Sequence, residues 1–185
     1  MSRLLDGEDD RELAAEITSL VQEHFGTINW EIGPDGRSKM FCFAINGKAE
    51  LLRMTEAIIA QAPGIKGWRF HAAKPSRPVP PLINFLAGSK VQAIDATGWR
   101  FALRGSDANR RCDVLVLSGH RRAEMPEQAA LAAILLVEMA VGEREFVAGI
   151  RDVILLASDD EIVTRISTSH PLKSLPRTYA KRKLH

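Results

Sequence analysis

Three side chains of this sequence can transfer protons and lie next to or within apolar segments: His71, His120 and Glu138. A histidine changes charge near neutral pH, and a carboxyl group in an apolar pocket has a raised pKa, so either can act as a general acid or base. His71 stands on the semi-polar side of an alternating strand pattern, and His120 follows a strongly apolar strand. Glu138 is the lone charge in the apolar run 129–141. We treat these three as candidate pocket residues.

Each candidate also has a purely structural interpretation. A buried, unpaired carboxylate costs on the order of several kcal/mol, so Glu138 would instead be salt-bridged and face outward near a helix end. Ser118 follows the apolar strand 114–117, but both glycines of a nucleophile elbow are missing at the required spacing. We therefore expect Ser118 to lie in a strand-end turn.

Motifs for phosphate, nucleotide and metal binding are missing from the sequence. There is no GxxxxGK[ST] loop and no GxGxxG after a strand. No two of the five histidines have the i, i+3 or i+4 spacing of a helical metal site. A site assembled from distant histidines with Asp113, Asp159 and Asp160 stays open. The sequence otherwise predicts no catalytic residue, no metal and no cofactor.

The stretch 38–74 indicates the elements that would position such residues. An apolar strand at 40–45 is followed by Asn46-Gly47, and apolar residues then recur with helical period over 48–62. Pro63 and Gly64 end that helix. The alternation over 68–72 predicts a second strand, which completes a βαβ unit.

The second half of the chain repeats this arrangement. The run 114–117 is typical of a buried strand, a long apolar helix is predicted over 126–141, and a strong strand over 151–157 follows. An amphipathic helix over 9–25 precedes both halves. The sequence predicts an α+β fold with two ββαβ-like halves, an antiparallel or mixed sheet, and both main helices on one face of it.

The segments between the two halves carry weaker signals. The prolines of 74–81 contain PxxP twice, and we expect a stiff surface connection rather than a peptide motif. A short helical turn is predicted over 82–87. Strands at 91–94 and 99–103 are predicted to form a hairpin with each other.

Length and charge set the remaining limits. The 185 residues, 45% of them apolar, predict one domain over 1–170. The formal net charge of +2 is too near neutral to indicate a nucleic-acid or membrane partner. Residues 171–185 carry five Lys or Arg and no acid, and we expect a solvated basic tail. Only a weak association of that tail with nucleic acid stays open.

Two observations bear on the cellular compartment. Cys42 and Cys112 lie far apart, each beside an apolar strand pattern, which indicates buried reduced thiols. The first ten residues are acidic and have no apolar leader. No apolar run reaches the roughly 20 residues that a bilayer requires. A cytoplasmic protein without a membrane partner is expected.

Three junctions share a further pattern: Glu31-Ile-Gly-Pro34 before a hairpin, Ala62-Pro63-x-Ile65-x-Gly67-Trp68-x-Phe70 between helix and strand, and Val141-Gly142-Glu143 closing an apolar helix. Together they resemble an uncharacterised family of bacterial cytoplasmic proteins over roughly residues 28–155. The resemblance implies no activity and no site residues. The segments 74–81 and 171–185 depart from the pattern.

These observations leave the function open between classes. The favoured hypothesis is a non-enzymatic protein-interaction or regulatory domain, for example an immunity-like inhibitor, whose partner is another protein. A homo-oligomer stays open. The alternative is a small hydrolase or ligand-binding enzyme with a pocket near His71, His120 and Glu138.

Overall fold

The protein is described here from a computed structural model over residues 8–87, 90–105 and 111–182. Five α-helices and nine strands are found in these residues, and the predicted α+β class is confirmed. The helices are α1 Glu8–Phe25, α2 Ala49–Ile59, α3 Ala129–Val141, α4 Glu143–Gly149 and α5 Leu175–Arg182. The strands are β1 Asn29–Asp35, β2 Ser38–Ala44, β3 Trp68–His71, β4 Leu82–Ala87, β5 Lys90–Asp95, β6 Arg100–Arg104, β7 Cys112–Leu117, β8 Ile150–Leu156 and β9 His170–Pro171.

The chain divides into two compact units, Met1–Pro75 and Ser76–His185. The single domain expected over residues 1–170 stays a prediction.

The first unit has a three-stranded sheet in the order β1-β2-β3. Strands β1 and β2 form an antiparallel hairpin, and β3 lies parallel to β2 after the crossover helix α2. A parallel neighbour requires such a crossover, because a tight turn can join only antiparallel strands. The helix α2 is amphipathic and stops at Ile59, shortly before Pro63.

The second unit has a four-stranded sheet in the order β8-β7-β6-β9 and a separate β4-β5 hairpin. Strands β6 and β7 are antiparallel, and β8 lies parallel to β7 after the helices α3 and α4. The two units therefore share hairpin, helix and parallel strand, which confirms the predicted pair of ββαβ halves.

The placement of both main helices on one sheet is wrong. Helix α2 connects two strands of the first sheet, and α3 leads to a strand of the second unit's sheet. The first sheet ends at β3, which is four residues long. Prolines follow β3 closely in the sequence, and because proline has no backbone N–H, they do not continue the hydrogen bonding of this strand.

Two local predictions are also corrected. Residues 82–87 form β4 rather than a helical turn, and they pair with β5. The alternation of Ile83 and Phe85, which pack on the core, with exposed Asn84 is the strand period. The hairpin predicted between 91–94 and 99–103 does not form. Strand β5 pairs with β4, and β6 has β7 on one edge and β9 on the other.

Residues 172–179 contradict the expectation of a solvated tail. Leu172, Leu175 and Tyr179 are 2%, 0% and 6% exposed and belong to the core that includes α3. Gly149 makes this packing possible, because a Cβ there would lie 1.6 Å from the Tyr179 hydroxyl oxygen. The basic residues Lys173 and Arg177 stay exposed on the outer side.

We predict that Leu175→Ala lowers the free energy of unfolding by about 2–5 kcal/mol, the usual cost of truncating a fully buried Leu. Arg177→Ala, on the exposed side of the same helix, is the matched control and should stay within about 0.5 kcal/mol of wild type. Urea denaturation measures both. Equal midpoints for Leu175→Ala and wild type would show that α5 does not pack on the core.

Candidate functional site

The first unit has a groove of about 400 Å³ between its two helices and one face of its sheet. All ten residues that line it are apolar. The helices supply three of them and the segment after α2 supplies two, while the strands supply the other five. They are Ile17, Ile32, Phe41, Phe43, Ile58, Ile59, Ala62, Ile65, Trp68 and Phe70.

The floor of the groove follows from strand period. Side chains two apart on a strand share a face, and the register sets Ile32 opposite Phe41, and Phe41 opposite Phe70. Phe41 is the centre of this aromatic floor. Its ring contacts the Phe43 ring edge-on, with 5.2 Å between the ring centres, and stacks on the Trp30 ring, with 6.0 Å between the centres. Offset and edge-on pairs are the favourable arrangements of aromatic rings, so the floor is ordered.

The groove stays open. Half of its lining residues belong to a cluster whose buried members, within the described part of the chain, are Val21, Ile28 and Phe43, and the other members are partly exposed. Ile65, on its rim, is 49% exposed. The groove therefore presents several partly exposed apolar side chains next to one another rather than singly.

The rims of the groove differ in charge. The sequence of α1 contains six acidic residues against one arginine, and Glu12, Glu16 and Glu23 are exposed. At the other end, the Lys39 ammonium lies 5.7 Å from the centre of the Trp68 ring. The exposed Lys66 follows Ile65 there. Exposed acids on α1 and exposed cations at the strand end are therefore the charged groups of this unit that concern the groove.

His71 lies on the opposite face of the first sheet from the aromatic floor. Its Nε2 is 3.3 Å from Oδ2 of Asp35, which also accepts a hydrogen bond from Arg69 at 3.3 Å. Asp35 is the last residue of β1, and the two partners are on β3, on the other side of β2. Partly exposed pairs of this kind contribute little to stability. His71 is in the first unit, whereas His120 and Glu138 are in the second.

His120 and Ser118 form a turn at the end of β7. The Ser118 hydroxyl accepts a hydrogen bond from the His120 backbone N–H at 3.2 Å and donates one to the Leu156 carbonyl at 3.3 Å. The His120 carbonyl accepts from the Ser158 N–H at 2.8 Å. These bonds tie the ends of β7 and β8 together, as the turn interpretation of Ser118 predicts.

Glu138 is half-buried near the end of α3. Glu143, five residues on, is 1% exposed. His71, His120 and Glu138 do not line the groove. A shared pocket for these three stays a prediction.

The second unit contains an ionic cluster that sequence reasoning missed. Asp113 is 2% exposed, and its carboxylate accepts two hydrogen bonds from Arg151 at 2.8 Å and two from Arg104 at 3.1 and 2.9 Å. Arg104 lies directly opposite on β6, whereas the β7–β8 register skips Arg151 in a bulge. Bulges re-aim side chains in this way.

The cluster holds Asp113 ionised. Hydrogen bonds from Arg151, and then from Arg104, keep the pKa of the Asp113 carboxyl below its usual range, although burial acts in the opposite direction. A carboxyl with a lowered pKa is a poor proton donor at neutral pH. Asp113 therefore ties three strands together rather than transferring protons.

The described ranges contain no group of three or more His, Cys, Asp or Glu placed to hold a metal ion. No helix in the described part of the chain combines the length and apolar character that a membrane crossing needs.

Comparisons with known proteins give no match: no family model, no curated protein and no solved structure matches the chain. The resemblance to a bacterial family therefore stays an expectation.

We predict that Asp113→Asn flattens the acid limb of the stability curve. Folding lowers the pKa of the Asp113 carboxyl, so the unfolded chain binds more protons than the folded chain at acidic pH. The resulting stabilisation is fully present above the unfolded pKa of about 3.9 and is lost as pH falls below that value. The variant should lose about 1–3 kcal/mol near pH 7 and lose less than wild type on going to pH 2–3. Urea denaturation across this range measures both, with exposed Asp152→Asn as the control. An acid limb as steep as that of wild type would contradict the role given to Asp113.

Proposed function

We propose that the protein is a non-enzymatic interaction protein whose first unit binds an amphipathic helix of another polypeptide. The observation that carries the proposal is the open groove with ten apolar lining residues and an ordered aromatic floor. Helix-in-groove recognition uses such a surface, into which apolar residues at positions i, i+3, i+4 and i+7 insert.

The lining favours a polypeptide over a small ligand. Sites for small molecules combine apolar walls with a few placed polar groups that fix orientation. Here no lining residue is polar, so orientation has to come from charges at the rims. A peptide helix is long enough to reach both rims, whereas a ligand held within the groove is not.

The charges specify the partner further. The acidic side of α1, with Glu16 beside the groove residue Ile17, favours Lys or Arg along the adjoining edge of the partner helix. The cations at the other end, Lys39 and Lys66, favour a carboxylate there. Such a partner helix would have an apolar stripe bordered by basic residues and an acidic end.

A regulatory or inhibitory role follows naturally from this mode of binding, because an occupied helix is unavailable to its other partners. Cys42 and Cys112 are both buried, and we place the protein in the cytoplasm, where thiols stay reduced. An enzyme built on His71, His120 and Glu138 remains the alternative prediction.

We predict that an amphipathic Leu/Lys model peptide of about 18 residues, or five turns, binds the protein. Ile65→Asp should weaken binding by about tenfold or more, because it places a charge against the apolar stripe. Ile65 is half-exposed, so the fold should be kept. Leu82→Asp, at a residue 54% exposed in the second unit, is the matched control. Fluorescence anisotropy of the labelled peptide measures the affinities, and equal affinity of Ile65→Asp and wild type would overturn the proposal.

Charge provides an independent prediction. Glu16→Lys should weaken the Leu/Lys peptide about two- to fivefold at low salt and less at high salt, since exposed charge pairs are weak and screened. Glu161→Lys, exposed in the second unit, should bind like wild type. Concentration-dependent dimers that Ile65→Asp abolishes, without peptide binding, would assign the groove to a second copy of the chain and contradict the proposal.

A further inference from the structure

A second cavity, of about 520 Å³, lies within the second unit. Three segments form it: residues 79–81 of the proline-rich stretch, residues 96–100 at the turn into β6, and residues 171–173 before α5. Its walls are largely apolar, from prolines, Leu172 and the Trp99 indole. Two of its lining residues, Arg100 and Lys173, are cationic, and none is acidic.

Backbone hydrogen bonds hold the three segments together. The Ala96 N–H donates to the Pro81 carbonyl at 2.8 Å, and the Trp99 N–H donates to the Ala96 carbonyl at 3.0 Å. The Leu172 N–H donates to the Trp99 carbonyl at 3.1 Å. The backbone around the cavity is therefore held in place, and only side chains would have to move when a ligand binds.

The indole N–H of Trp99 is a buried hydrogen-bond donor. Trp99 is 3% exposed, and its Nε1 donor has no acceptor among the described residues. A buried donor without an acceptor is costly and rare in folded proteins, so each case calls for an explanation. An acceptor carried by a ligand would provide one.

The charges around the cavity define that acceptor. The Arg100 guanidinium is positioned by bonds to the side chain and the carbonyl of Ser169. Lys173 is exposed at the same cavity. The nearby carboxylate of Asp95 accepts from the Thr97 N–H at 2.8 Å and does not line the cavity. The field at the rim therefore favours an anion.

We propose that this cavity binds a small carboxylate with an apolar body. The body packs on Pro80, Pro81 and Leu172, and the carboxylate pairs with Arg100 and Lys173. One carboxylate oxygen accepts the hydrogen bond of Trp99 Nε1. Because this donor is shielded from solvent, the ligand has to displace wall side chains to reach it, and binding changes the surroundings of the indole.

Benzoate is the probe, and the indole N–H signals in proton–nitrogen NMR spectra are the readout. The chain has three tryptophans, so Trp99→Phe assigns the relevant signal. Benzoate should shift the Trp99 signal downfield in a saturable way and leave those of Trp30 and Trp68 in place. Benzamide, which has the same body without the charge, should bind at least about twofold more weakly.

Lys173→Gln keeps the test decisive if Trp99→Phe fails to fold, because Lys173 is exposed. It should weaken benzoate about two- to fivefold and leave benzamide unchanged. A Trp99 signal that benzoate does not move, or equal responses to benzoate and benzamide, would overturn the proposal. The groove of the first unit is probed with a different ligand, so the two proposals can fail separately.

Discussion

The second unit depends on covering a helix that has almost no polar surface of its own. Of the thirteen residues of α3, only Glu138 is charged, and seven are buried. The sheet covers one side through residues such as Val114 and Val116, and the C-terminal segment adds Leu172, Leu175 and Tyr179 to the same core. Because apolar burial is the main favourable term in folding, this segment is part of the fold rather than an appendage.

The first unit has the same strand topology, but its helices cover less of the sheet. Its helix α2 is amphipathic, and the helices leave the aromatic floor of the sheet partly exposed. In the second unit, the residues that would correspond to an open face are packed under α3 and α5. Repetition of one ββαβ arrangement has thus produced a largely buried apolar cluster in one unit and a partly exposed one in the other. The difference in coverage, rather than in topology, suggests where binding occurs.

Periodicity in the sequence predicts those elements whose signal is local. The helix over 9–25, the hairpin β1–β2 and the two parallel strands after the main helices follow from alternation, helical spacing and turn residues. The strand β4 was predicted as a helical turn because six residues are too few to distinguish the two-residue period of a strand from the helical period of about 3.6 residues, and the glycine that follows can end either element. The tail was misjudged because its basic residues outnumber Leu172, Leu175 and Tyr179, whose burial is decided by α3, far away in sequence.

The candidate site was less predictable than the fold. Sequence reasoning searches for reactive side chains, and it therefore selected His71, His120 and Glu138. The groove is made of ordinary core residues, and only their incomplete burial in the folded unit distinguishes them. The Asp113 cluster depends on a bulge at Arg151 that no short motif encodes. Pairing of β6 with β7 and alternation in both strands are the signals that could have brought Arg104 to Asp113.

The isoleucine methyl groups provide the most direct measurement of the central claim. Five isoleucines line the groove, namely Ile17, Ile32, Ile58, Ile59 and Ile65, whereas Ile94 and Ile150 lie in the core of the second unit. With selectively labelled isoleucine, titration of the Leu/Lys peptide should shift the signals of these five residues and leave Ile94 and Ile150 unchanged. Shifts confined to the second unit, or no shifts at saturating peptide, would contradict the account.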